Sequence, residues 1–126
     1  MKYSIQKSEK HTILKLEEEK LDTLLAPKIK SEFVTLFQAG LTNFILDISQ
    51  VKYVDSSGLS ALLVANRLAK ENNGLFIVVG ASDHVKKLLS ISKLDAVIRV
   101  LTSVEEAVDA IFLHEIEKDL NEDSDE

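Results

Sequence analysis

The chain has 126 residues, with no cysteine, one proline and four glycines. A chain this long fits one domain and can bury a core without disulfides, and the lack of thiols excludes disulfide frameworks, thiolate metal sites and cysteine nucleophiles. The net charge of −6 lies at one end: Glu115, Glu117, Asp119, Glu122, Asp123, Asp125 and Glu126 are opposed only by Lys118, so residues 1–114 are formally neutral and carry no basic cluster to draw nucleic acid.

Tyr3–Lys7 and Thr12–Leu16 read as two short strands joined by the polar turn Ser8-Glu9-Lys10-His11. Ala26–Ala39 reads as a helix: Ile29, Phe33, Leu36 and Phe37 form one apolar stripe, Pro27 suits the first turn and Gly40 the stop. Phe44–Ile48 is a buried strand, followed by a helix from about Ser57 to Glu71 that ends at Asn72-Asn73-Gly74. The continuous apolar run Leu75–Val79 suits a central strand covered on both faces. Ser82 can cap a short helix through Leu89, and Val97–Leu101 is a last strand. Ser103-Val104-Glu105-Glu106 is a capping box opening a helix with Val104, Ala107, Val108 and Ile111 on one side. The order ββαβαβαβα implies an α/β domain with a mixed sheet of about four to five strands and about four helices. That domain is expected over residues 1–114, with 115–126 an acidic, frayed or disordered tail. No apolar run approaches the roughly 20 residues that span a bilayer, and Met1–Ile5 has no signal-peptide apolar region. A cytoplasmic protein without direct membrane contact is expected.

The segment richest in chemistry is Val51-Lys52-Tyr53-Val54-Asp55-Ser56-Ser57-Gly58-Leu59, between the third strand and the second helix. Asp55, Ser56 and Ser57 are all N-cap residue types, and Gly58 in the first turn lets another backbone come close. The turn can be a simple cap. It can hold a nucleophilic serine, but the nucleophile-elbow pattern needs glycine two residues before the serine, where Val54 stands ahead of Ser56 and Asp55 ahead of Ser57. It can also present a phosphorylatable serine, since a helix N-terminus holds phosphate through free N–H groups and its dipole. Along the following helix Ala61, Leu62, Ala65, Leu68 and Ala69 share one arc, while Leu59 and Leu63 lie off it beside Asn66 and Lys70. Leu59 and Leu63 either pack within the domain or join Ser56 in a partner-binding patch.

These residues resemble the STAS domains of bacterial anti-sigma factor antagonists, from about residue 3 to 112. The resemblance is carried by Leu46-Asp47-Ile48-Ser49 with Val54-Asp55-Ser56-Ser57-Gly58-Leu59. It is supported by Leu21-Asp22 with Ala26-Pro27, by Leu88-Leu89-Ser90, and by Thr102-Ser103-Val104-Glu105-Glu106-Ala107. Two positions depart from the family pattern: Glu19-Lys20 replaces the usual Gly-Glu before Leu21-Asp22, and Leu25 replaces a capping Thr or Asn before Ala26-Pro27. The resemblance implies the STAS fold and a phosphorylation site at Ser56, with Ser57 as its helix-capping neighbour. It implies partner contacts around Asp55, Ser57, Gly58, Leu59 and Leu63. The partners would be an anti-sigma factor that is also an ATP-binding serine kinase, and a serine phosphatase that resets the cycle. Unphosphorylated antagonist would sequester the anti-sigma factor and free the sigma factor for transcription.

The alternative is a STAS module serving as a fixed, non-enzymatic subunit of a transporter or lipid-trafficking complex, with the serine only a cap. An enzyme is disfavoured: the chain has no Gly-x4-Gly-Lys-Ser/Thr loop, and His11, His84 and His114 lack second ligands at metal-binding spacing. No cofactor, metal site or catalytic residue is expected.

Overall fold

The computed structural model describes residues 1–124, with side chains to Asn121. Two strands lead, β1 (Tyr3–Lys7) and β2 (Thr12–Leu16). Then come β3 (Lys20–Leu21), α1 (Ala26–Gln38), β4 (Phe44–Asp47), β5 (Tyr53–Val54) and α2 (Ser56–Glu71). The chain finishes with β6 (Phe76–Val79), α3 (Asp83–Ile91), a 3-10 turn at Leu94–Ala96, β7 (Arg99–Leu101) and α4 (Val104–Ser124). The α/β class with a mixed sheet and four helices is as expected from the sequence. Three short elements were not foreseen: β3, β5 and the 3-10 turn.

The main sheet has the order β1-β2-β4-β6-β7. β1 runs antiparallel to β2, with Ile5 opposite Leu14, and every other pairing is parallel. Because side chains alternate along a strand, the sheet has two apolar faces. Phe44, Leu46, Phe76 and Val78 face the larger core built with residues of α1, α2 and α3. Ile45, Ile77 and Val79 face the smaller one, closed by Ala107, Ala110 and Ile111 of α4. Phe44 anchors the larger core, its ring 5.3 Å edge-on from Phe33, 6.0 Å from Phe37 and 5.6 Å stacked from Phe76. All four residues of β6 are buried.

At the end of the sheet where β4 and β6 begin, Asn43 is 1% exposed and ties four segments together. Its Nδ2 donates to the Lys10 carbonyl at 2.8 Å and to Glu115 Oε1 at 2.6 Å, and its Oδ1 accepts from the Leu75 amide at 3.0 Å. This bond from Asn43, with Lys118 and Lys10 nearby, holds the Glu115 carboxyl below its ordinary pKa. The acidic segment from residue 115 thus begins bonded to the domain and continues α4 to Ser124. Asp125 and Glu126 lie outside the described residues.

Replacing Asn43 by Ala strands the Leu75 amide and removes both donors. A stability loss of about 2–4 kcal/mol is expected, read from urea unfolding at unchanged slope. A loss below about 0.5 kcal/mol would show that these bonds do not hold the segments together.

Candidate functional site

The site lies beyond the C-terminal ends of the parallel strands, where two loops meet. The first, residues 19–25, is drawn against the second, residues 48–55, by main-chain bonds. Lys52 and Tyr53 amides donate to the Glu19 carbonyl at 2.8 and 3.1 Å. β3 pairs with β5 in parallel, Leu21 beside Val54, and the Asp55 amide reaches the Leu21 carbonyl at 3.3 Å. The approach is possible because residue 58 is glycine: a Cβ there would collide with the Leu21 carbonyl oxygen and lie 2.8 Å from Val54 Cγ1. Gly58 is therefore a buried packing position.

Asp22 organises the first loop. Its Oδ1 accepts from the amides of Leu24 and Leu25 at 3.1 and 3.2 Å, and its carbonyl accepts from Ala26 N at 2.8 Å. Leu25, at the N-cap position of α1, makes no side-chain cap bond; Asp22 instead fixes the approach to the helix, binding the Leu25 amide and, through its carbonyl, the first helical amide of Ala26.

Asp55 joins the loops. It is the N-cap of α2, with Oδ1 accepting from the Gly58 amide at 3.0 Å. Its Oδ2 accepts from both the amide and the hydroxyl of Thr23, each at 3.1 Å. These donors, the Gly58 amide foremost, keep the carboxyl below its ordinary pKa. Thr23 Oγ1 also lies 3.3 Å from Ser57 Oγ. Since a hydroxyl has one proton to give, and that of Thr23 goes to Asp55, Ser57 is the donor in this pair. The capping role given to Ser57 by resemblance is thus corrected: Asp55 caps, and Ser57 sits in the first turn bonded to Thr23.

Ser56 is the first residue of α2 and is exposed, and among the described residues nothing bonds its hydroxyl. Leu59 is half-buried and packs on the larger core, whereas Leu63, one turn on, is 39% exposed. Tyr53 at 47% and Leu24 at 82% add exposed apolar surface on the same two loops. On the next turn of α2, Lys30 Nζ donates to Ser60 Oγ at 3.1 Å, linking α1 to α2. Thr23 was not singled out in the sequence. The only signal available was a hydroxyl residue directly after Asp22. Among the described residues no group of three His, Asp or Glu could hold a metal ion, and no helix is long and apolar enough to cross a membrane.

The STAS domain family matches residues 2–107, and the chain belongs to that family. A protein of Thermotoga neapolitana named as an anti-sigma factor antagonist is 24% identical over 79 residues, covering 63% of this chain and 70% of that one. Among solved structures, a Thermotoga maritima protein named as an anti-sigma factor antagonist superimposes with a TM-score of 0.78 at 22% identity, covering 86% of this chain and 93% of that one. The phosphorylated form of the Bacillus cell fate determinant SpoIIAA gives 0.67 at 21% identity, covering 87% and 99%. A sulfate transporter family protein of Wolinella succinogenes gives 0.74 at 17%, covering 85% and 88%.

Gly58→Ala is expected to cost at least about 2 kcal/mol, because the new methyl group meets main chain rather than a flexible side chain. Unchanged stability would mean the 19–25 loop yields. For Asp55, whose folded-state pKa is lowered, the stabilising effect is full above the ordinary carboxylate range and is lost as pH falls through the folded-state value. The advantage of wild type over Asp55→Asn in urea midpoint should therefore shrink on acidification. A gap that widens would contradict the assignment.

Proposed function

We propose that the chain is a phospho-regulated anti-sigma factor antagonist, a binding module of the cytoplasm without catalytic activity. One observation carries this. Of the three hydroxyls gathered at the start of α2, Thr23 and Ser57 are held in the Asp55 network, and Ser56 alone faces solvent with no bond among the described residues. A group that neither caps nor packs, held on a rigid frame, is suited to modification.

The unmodified surface would bind an anti-sigma factor that is also an ATP-dependent serine kinase. Leu63, Tyr53 and Leu24 offer apolar contact and Leu59 lies beneath, while Asp55, Ser57 and Gly58 set the shape of the loop. Phosphorylation of Ser56 then places about −1.5 to −2 charges at the centre of that contact. The phosphate is accommodated by the helix N-terminus in the free protein but is costly in a packed interface. A hundredfold loss of affinity requires only about 2.7 kcal/mol, and a desolvated dianion supplies it. A serine phosphatase would restore the binding form. The names of the similar proteins, and the phosphorylated state of SpoIIAA, support this reading.

The likeness to a sulfate transporter family protein favours a second reading, a fixed STAS subunit in which Ser56 is never modified. Mass spectrometry of the peptide Tyr53–Arg67 from native cells separates the two. Phosphate on Ser56 supports the switch, and its absence in both growth and stress supports the fixed subunit. Against a purified cognate kinase, Ser56→Ala should bind as the unphosphorylated form does and resist release by ATP. Ser56→Asp should bind at least about a hundredfold more weakly. Equal binding by Ser56→Asp would defeat the proposal.

A further inference from the structure

α4 has a second apolar face that the domain leaves uncovered. Ala107, Ala110 and Ile111 are buried against the sheet. At about 100° per residue, Phe112, Ile116, Leu120 and Leu113 fall together on a separate arc about 100° wide. They are 66%, 40%, 61% and 60% exposed, respectively. Large apolar side chains gathered this densely on a surface mark an interaction site. Phe112 and Ile116, with Val108 and Ile111 below them, also form one wall of an open groove of about 370 Å³, whose other wall is the β1–β2 turn at Ser8–His11. The stripe and the groove are continuous through Phe112 and Ile116.

The charge around this face selects its occupant. Val104–Ser124 contains eight acidic residues and one lysine. Lys118 is paired with Glu115 at 3.4 Å, and among the described residues no cation pairs with Glu117 or Asp119, which flank the stripe on either side, or with Asp109, which lies in line with it one turn nearer the start of the helix. A second copy of α4 laid on the first would set like charges against each other. A helix with an apolar stripe flanked by lysine or arginine would match both the apolar arc and the acidic borders.

We propose that the outer face of α4 is a docking site for a basic amphipathic helix of a partner protein. It lies across the sheet from α1, α2 and α3, so it is a different surface from the one around Ser56.

The probe is a dye-labelled peptide of leucine and lysine, about five helical turns long and ordered to be amphipathic, read by fluorescence anisotropy against the full chain at about 0.15 M salt. Its control has the same composition in scrambled order. The amphipathic peptide should bind at least about tenfold more tightly than the scrambled one. The triple variant Phe112→Ser, Ile116→Ser, Leu120→Ser should lose about tenfold in affinity, and the double variant Glu117→Lys, Asp119→Lys should lose a similar factor with the apolar face intact. Equal affinity for both peptides would reduce the effect to bulk charge and overturn the proposal. So would full binding by the triple variant. A dimer of the free protein that the triple variant abolishes would give the face to a second copy and overturn it as well.

Discussion

The site depends on one close approach, the passage of the Leu21 carbonyl over the bare backbone of Gly58. With no side chain in the way, the 19–25 loop settles on the start of α2, and β3 can pair with β5. Thr23 is thereby brought, across 32 positions of sequence, to give Asp55 Oδ2 two hydrogen bonds. Asp55 then does two jobs with two oxygens: one caps its own helix, the other fastens a distant loop. Charge-assisted bonds of this kind are among the stronger ones available at a surface. The free state of Ser56 follows from what its neighbours are doing.

The sheet distributes its support unevenly. One face carries α1, α2 and α3 with a cluster of aromatic rings around Phe44. The other is covered by α4 through a few small and branched residues, with Asn43 and Glu115 pinning its far end. The three ion pairs among the described residues are short-range or exposed, and exposed pairs add little. Apolar burial and the two polar clusters at opposite ends of the strands, around Asn43 and Asp55, do the specifying.

Much of this was legible in the residues. Strands and helices with a full apolar period were found to within a few positions, and the run from Leu75 to Val79 announced its double burial. β3 and β5 escaped because two residues cannot express a period, and their pairing is a consequence of the Gly58 contact rather than of local preference. The 3-10 turn at Leu94–Ala96 is likewise too short to be patterned. At the site, Asp55, Ser56 and Gly58 were recognisable by residue type, but the division of labour among them was not. Three adjacent N-cap residues look equivalent in sequence, and only the position of Thr23 assigns Ser57 a different bond. Leu25 offers α1 no side-chain cap, and the sequence does not show that Asp22, three residues earlier, holds its amide. The acids after Glu115 suggested a solvated end, yet Ile116 and Leu120 among them continue a helical spacing begun at Phe112, and the helix runs on to Ser124.

The position of Ser56 inside the first turn of a capped helix limits how any other molecule can handle it. An extended strand, the form in which many linear motifs are read, is not available without breaking the Asp55 cap and releasing Thr23. An enzyme that modified it would therefore have to take the helix end and the adjoining loop as a solid shape. Selectivity of that kind resides in curvature and fit, so the order of residues flanking the serine, taken as a string, would be a poor guide to which other chains the same enzyme accepts.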